Sequence, residues 1–149
     1  MKQIVYSMQF KGQAAPVAGS STVLKAITNA PSCLVTTMVG PEGVSGSCKA
    51  TAGDKASFES EVTITGETSF LEPGSIRFGD GNHRLRFSTV GQGYLADSPE
   101  PKLKSGAVMW KVEGGEGQFA GASGYITSNF TMDEAGHVTD NQFGVIYVK

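Results

Sequence analysis

The chain has 149 residues, a size at which one domain buries a core without metal or disulfide staples. Its 20 glycines and only 17% charged residues suit short strands joined by tight turns and exclude a disordered, highly charged chain. The net charge of −2 comes with no stripe of Lys or Arg, which excludes a nucleic-acid footprint, and no basic amphipathic segment marks a membrane-surface role.

Alternation begins at the N-terminus, where Ile4, Tyr6, Met8 and Phe10 define one face of a strand over 2–11. Gln3, Ser7 and Gln9 interrupt the apolar core a signal peptide needs, and no run approaches the ~20 apolar residues of a membrane span. A cytoplasmic location is therefore expected. A second strand is expected over 20–28, although Ser20-Ser21 before Val23, Leu24 and Ile27 equally suits the start of a short helix. Strands over 33–39 and 44–52 flank Gly40-Pro41-Glu42-Gly43, a hairpin turn. Pairing through it sets Cys33 opposite Ala50 and Cys48 opposite Val35. The sulfurs are then diagonal neighbours, too far apart for easy bridging, and read as two buried thiols acting as small hydrophobes.

A strand over 57–65 follows, with Phe58, Ser60, Val62 and Ile64 on one face and Glu59, Glu61, Thr63 and Thr65 on the other. Strands over 74–79 and 83–90 embrace Asp80-Gly81, the strongest hairpin signal in the chain, because a two-residue turn requires positive φ. This register sets His83 opposite Phe78, Leu85 opposite Ile76, and Arg77 opposite Arg84, with Arg86 beyond. So many guanidinium groups on one face need acids, and Glu59 and Glu61 are the natural partners; a face that binds an anion is the alternative. Residues 91–105, with Pro99 and Pro101, read as a loop long enough to be a lid. A strand over 106–113 places Trp110 between Val108 and Val112, so the only tryptophan is expected to be buried or at a subunit contact. Strands over 123–132 and 137–148 are joined by a turn at Asp133-Glu134-Ala135-Gly136. No linker or repeat divides the chain, so residues 1–149 form one domain. Strands at this spacing mean a sandwich or a barrel, and closure removes exposed edges. The expected fold is all-β, an antiparallel closed barrel of about eight strands.

Gly115-Glu116-Gly117-Gln118-Phe119-Ala120 matches a dinucleotide fingerprint in spelling, but the mechanism needs a long helix after it, and Gly121, Ser123 and Gly124 forbid one. His83, His137 and the two cysteines have no ligand spacing, and both histidines read as exposed residues beside turns, so no metal is expected.

The segment Gly114-Gly115-Glu116-Gly117-Gln118-Phe119-Ala120-Gly121-Ala122-Ser123-Gly124 reads as a glycine turn, one helical turn around Phe119-Ala120, then a strand, with Phe119 plugging one end of the core. It resembles the GG-x-G-x-F-x-G-A-x-G segment of the allene oxide cyclase barrels and the related dirigent proteins. Phe78-Gly79-Asp80-Gly81-Asn82-His83 and Gly91-Gln92-Gly93 resemble the cyclase pattern too, so the likeness covers roughly 76–149. It implies a barrel with a largely apolar cavity, no cofactor and a homo-oligomer, a trimer or dimer. The cyclases carry their catalytic groups on early strands, where no matching motif stands in this chain, so no catalytic residue is carried over.

Three functions follow from a barrel of this kind: a cofactor-independent cyclase or isomerase for a small hydrophobic molecule, a non-catalytic carrier of a hydrophobic ligand, and a structural or partner-binding barrel with a filled core. An interior pocket with a polar group of shifted pKa separates the first from the others. Tyr6, whose hydroxyl must find a partner among apolar residues, and His83, on the face of Leu85 and Phe87, are the catalytic candidates.

Overall fold

The computed structural model describes residues 1–149. It contains ten strands: β1 Lys2–Pro16, β2 Val23–Gly40, β3 Gly43–Ile64, β4 Ser69–Leu71, β5 Gly74–Phe78, β6 His83–Thr89, β7 Gly93–Asp97, β8 Leu103–Glu116, β9 Ser123–Asp133 and β10 His137–Val148. Neighbours run in the order β2-β1-β10-β9-β8-β6-β5-β3, and β2 pairs again with β3, which closes an antiparallel barrel of eight staves. β4 extends the stave of β5 in the same register against β3, since Thr63 faces Leu71 and Ser60 faces Gly74. β7 extends the stave of β6, pairing β4 on one side and β8 on the other, so both ends of the barrel are ringed.

Both expected hairpin registers are present. Cys33 faces Ala50 and Cys48 faces Val35, and His83 faces Phe78, Leu85 faces Ile76 and Arg77 faces Arg84. The 114–124 segment forms one 3-10 turn, Gly117–Phe119, and Phe119 is buried at that end against Phe78, ring centroids 5.2 Å apart. Trp110 is fully buried, stacked 4.4 Å from Phe87.

Four expectations need correction. Strands 20–28 and 33–39 are one strand, as are 44–52 and 57–65. Beyond an irregularity between Pro31 and Cys33 the pair leaves the ring, so Cys33–Gly40 and Gly43–Ala50 form a two-stranded arm with no third strand beside it. The cysteines on that arm are therefore not core thiols: Cys48 is exposed, and Cys33 is partly exposed with its Sγ 3.5 Å from the Ser7 carbonyl. The stretch 91–105 is no lid, because Gly93–Asp97 is a stave of the barrel. The guanidinium face is answered by Glu116 rather than by Glu59 or Glu61; Arg86 lies 3.1 Å from Glu116, and Arg84 stands directly opposite it in the register.

Four aromatic rings point inward opposite glycines on the neighbouring strand: Tyr6 with Gly144, Phe87 with Gly74, Phe70 with Gly93 and Phe130 with Gly106. In each pair the ring occupies the space a Cβ would need. Gly144→Ala therefore drives a methyl into the Tyr6 ring. The expected cost is about 1–3 kcal/mol of overpacking, read as a lower urea midpoint at unchanged m-value; an unchanged midpoint would show that the ring has room to move.

Candidate functional site

The barrel is filled at one end and hollow at the other. From the Phe119 plug upward the interior is packed with Phe78, Leu85, Phe10, Phe58, Trp110 and Ile146. At the opposite end the inward residues include Ala14, Ala26, Val62 and Ser128, and a cavity of about 80 Å³ remains. Leu24, Ile64, Phe70, Leu95, Phe130, Met132 and Val138 make its walls apolar.

Two carboxyl groups enter this cavity. Glu72 lies at the break between β4 and β5, and Asp140 lies on β10, four staves away and so on the facing wall. Both are buried, and no other carboxyl group in the chain is. Asp140 accepts hydrogen bonds from Ser128 Oγ at 2.5 Å and Gln142 Nε2 at 2.8 Å. Glu72 accepts from Ser60 Oγ at 2.7 Å, while its own N–H donates to Thr89 Oγ1 at 2.7 Å. Thr28, on β2, lines the same cavity with only 2% of its surface exposed, and its hydroxyl has no partner.

Burial raises Glu72 from the ordinary 4.5 to about 8, with the charge of Asp140 adding to the rise and the Ser60 bond opposing it. Burial raises Asp140 from 3.8 to about 6, held back by the bonds from Ser128 and Gln142. Neutral pH falls between the two values, so Glu72 keeps its proton where Asp140 has lost its own. An acid and a base thus face each other across an apolar space.

The two residues singled out in the sequence lie apart. Tyr6 sits below the cavity, edge-on to Phe78, and donates its hydroxyl at 3.1 Å to Gln142 Oε1, which links it to Asp140. Burial pushes its phenol upward, and Asp140's charge pushes the same way, so Tyr6 stays a proton donor in this chain. His83 is exposed at the plugged end, where Nδ1 accepts the Gln118 N–H at 3.0 Å and steadies the turn that carries Phe119. Asp140 was readable from alternation, since Val138, Asp140, Gln142, Gly144, Ile146 and Val148 share one face of the last strand. Glu72 was not, because Pro73 beside it hides the stave.

No family model matches the chain, and no curated protein does. Solved structures do. The pterocarpan synthase dirigent protein GePTS1 matches with a TM-score of 0.56 and 15% identity over 99% of this chain and 89% of its own. The pterocarpan synthase dirigent protein PsPTS1 matches with 0.53 and 14% over 99% and 96%. At such identity the likeness is one of fold, and it runs over the whole chain rather than over 76–149.

The carboxyls give stability an unusual pH dependence. Between about pH 5 and pH 8 the folded barrel holds protons that the unfolded chain has released, so stability falls as pH rises through this window. Asp80 and Asp133, held low by hydrogen bonds in their turns, act in the opposite direction only below about pH 4. Moving from pH 8.5 to 5 is expected to raise the unfolding free energy by a few kcal/mol in order of magnitude, read as a higher urea midpoint. Glu72→Gln is expected to remove most of that rise and to be the more stable protein at pH 8.5. A midpoint that climbs with pH would contradict the assignment.

Proposed function

We propose that the barrel is a cofactor-independent cyclase or isomerase acting on a small, largely hydrophobic molecule held in the open half of its interior. The observation that carries this reading is the pair of facing carboxyls, one protonated and one ionised at neutral pH, in a cavity with apolar walls. Ring closure and double-bond migration leave the atom count unchanged and need a proton delivered at one position and removed at another. Glu72 delivers the proton and Asp140 accepts one; solvent at the mouth resets the pair. The walls exclude water from the reacting molecule and limit its folding. Tyr6, through Gln142, positions Asp140. The neighbours in fold are named as synthases of a small molecule, and the 114–124 segment supports extending the kinship to the allene oxide cyclase barrels.

The test is a panel of small apolar compounds able to cyclise or shift a double bond, followed by NMR in buffer with chelator. Wild type is expected to give a product of unchanged mass. Asp140→Asn and Glu72→Gln are each expected to lose about 10²–10⁴ in rate while folding persists. Tyr6→Phe is expected to lose less and to shift the pH profile, and His83→Gln to leave the rate unchanged. Saturable binding without conversion would make the barrel a carrier instead.

We also propose that the chain is a homo-oligomer. A two-stranded ribbon is marginal in water on its own, yet the arm exposes Leu34, Val35, Met38, Val39 and Val44. Beside it the outer wall of β1, β10 and β9 exposes Val5, Phe143 and Tyr125. Sedimentation equilibrium is expected to give a dimer or trimer, and Leu34→Lys with Val39→Lys to shift it toward monomer; a wild-type monomer would overturn this.

A further inference from the structure

The cavity is electrically one-sided. Its titratable lining groups are Glu72 and Asp140, and no Lys, Arg, His or Cys is among its walls. The partners of Asp140, Ser128 and Gln142, supply dipoles and no positive charge. A buried carboxylate without a counter-charge is costly and is ordinarily paired or neutralised. A third group points to a missing partner: the Thr28 hydroxyl is buried and unbonded on the same cavity, and such a group is ordinarily satisfied by something bound. The rings of Phe58, Phe70 and Phe130 are among its walls, and aromatic rings attract cations to their faces.

We propose that this cavity selects a compact organic cation: one ammonium or protonated ring nitrogen on an apolar body, its charge held by Asp140 and the Thr28 hydroxyl taking part in its hydrogen bonding. The inference rests on the reading of this cavity as the functional site and narrows its substrate class. An anionic substrate would meet two carboxyls and no compensating donor of positive charge. A neutral molecule would leave Asp140 uncompensated unless it gained positive charge along the reaction. The space, room for a few waters in order of magnitude, limits the apolar body to about one small ring.

The test compares three probes of nearly equal shape, benzylammonium, benzyl alcohol and benzoate, by ligand-observed NMR at pH 7.5 with the full chain. Benzylammonium is expected to bind about tenfold or more tightly than benzyl alcohol, with benzoate weakest. Asp140→Asn is expected to erase the preference for the cation while leaving benzyl alcohol binding in place. Thr28→Val, which keeps the shape and removes the hydroxyl, is expected to weaken benzylammonium several-fold. The preference should also fade below about pH 6, where Asp140 takes up a proton; Glu72 across the cavity and Tyr6 below are the titratable groups that face it. If benzyl alcohol or benzoate binds as well as benzylammonium, the cation proposal falls and the acid–base reading of the cavity stands. If none of the three binds wild type at any concentration reached, both fall together.

Discussion

Closure locks every second residue of each stave inside the barrel, and the rest of this molecule depends on that lock. In an open sheet an inward side chain that does not fit can be relieved at an edge. Here the ring returns from β3 to β2 and leaves no edge in the barrel wall. An eight-stranded barrel is only wide enough for side chains to fill it. The interior is therefore full or hollow according to the volumes placed at inward positions. Toward the Phe119 end those positions hold Phe10, Phe58, Phe87 and Trp110, whose rings pack face to face or tilted at 4.4–6.0 Å. Among the packed rings, Gly74 thins the wall opposite Phe87, as Gly144 does opposite Tyr6 just below the cavity. Toward the other end alanines, a threonine and a serine take inward positions, and space is left over.

The same lock explains how carboxyls persist in an apolar interior. A surface Glu or Asp escapes burial by rotating outward, but one on an inward position of a closed wall cannot. It must be bonded, or keep its proton, or find a counter-charge. Asp140 receives two side-chain donors and Glu72 one, so Glu72 relies more heavily on its proton. The difference in donors separates the two affinities, and the residual charge of Asp140 widens the gap by holding the Glu72 proton in place. The chemistry of the pair thus follows from which neighbouring inward positions carry hydroxyl and amide groups.

Much of this was legible in the sequence where the signal is local. A tight turn fixes the register of its hairpin, so Asp80-Gly81, inside the four-residue turn 79–82, and Gly40–Gly43 identified cross-strand partners correctly down to single residues. The Phe119 plug and the burial of Trp110 followed from glycine spacing and alternation. Signals that depend on the ring were harder to read. Pro73 and the glycines at 91 and 93 look like loop residues, yet in a barrel they mark where a stave bends, and β4 and β7 were lost for that reason. The arm was misjudged because alternation persists along it although no third strand pairs with it. The two buried carboxyls are masked in the sequence by the apolar residues around them. Yet Asp140 and Gln142 interrupt an apolar face in full view, and their position says more than the conspicuous Tyr6 and His83.

The two carboxyls are also mounted differently, and this assigns them different mechanical roles. Asp140 stands on a continuous ladder, with β1 on one side and β9 on the other. Beneath it Gln142 and Tyr6 tie it to the packed half, where Tyr6 lies against Gly144 and Phe78. Glu72 stands at a break. Pro73 has no N–H to give, and the Glu72 N–H bonds the Thr89 side chain on β6 instead of a backbone carbonyl of the ladder. Fewer ladder bonds hold that wall, so it yields more readily than its opposite. A group that must fix a ligand belongs on the stiff wall, and one that must follow a moving proton acceptor tolerates the softer one. The filled half of the barrel is then no inert ballast: through Tyr6 and Gln142 its packing holds Asp140 in register.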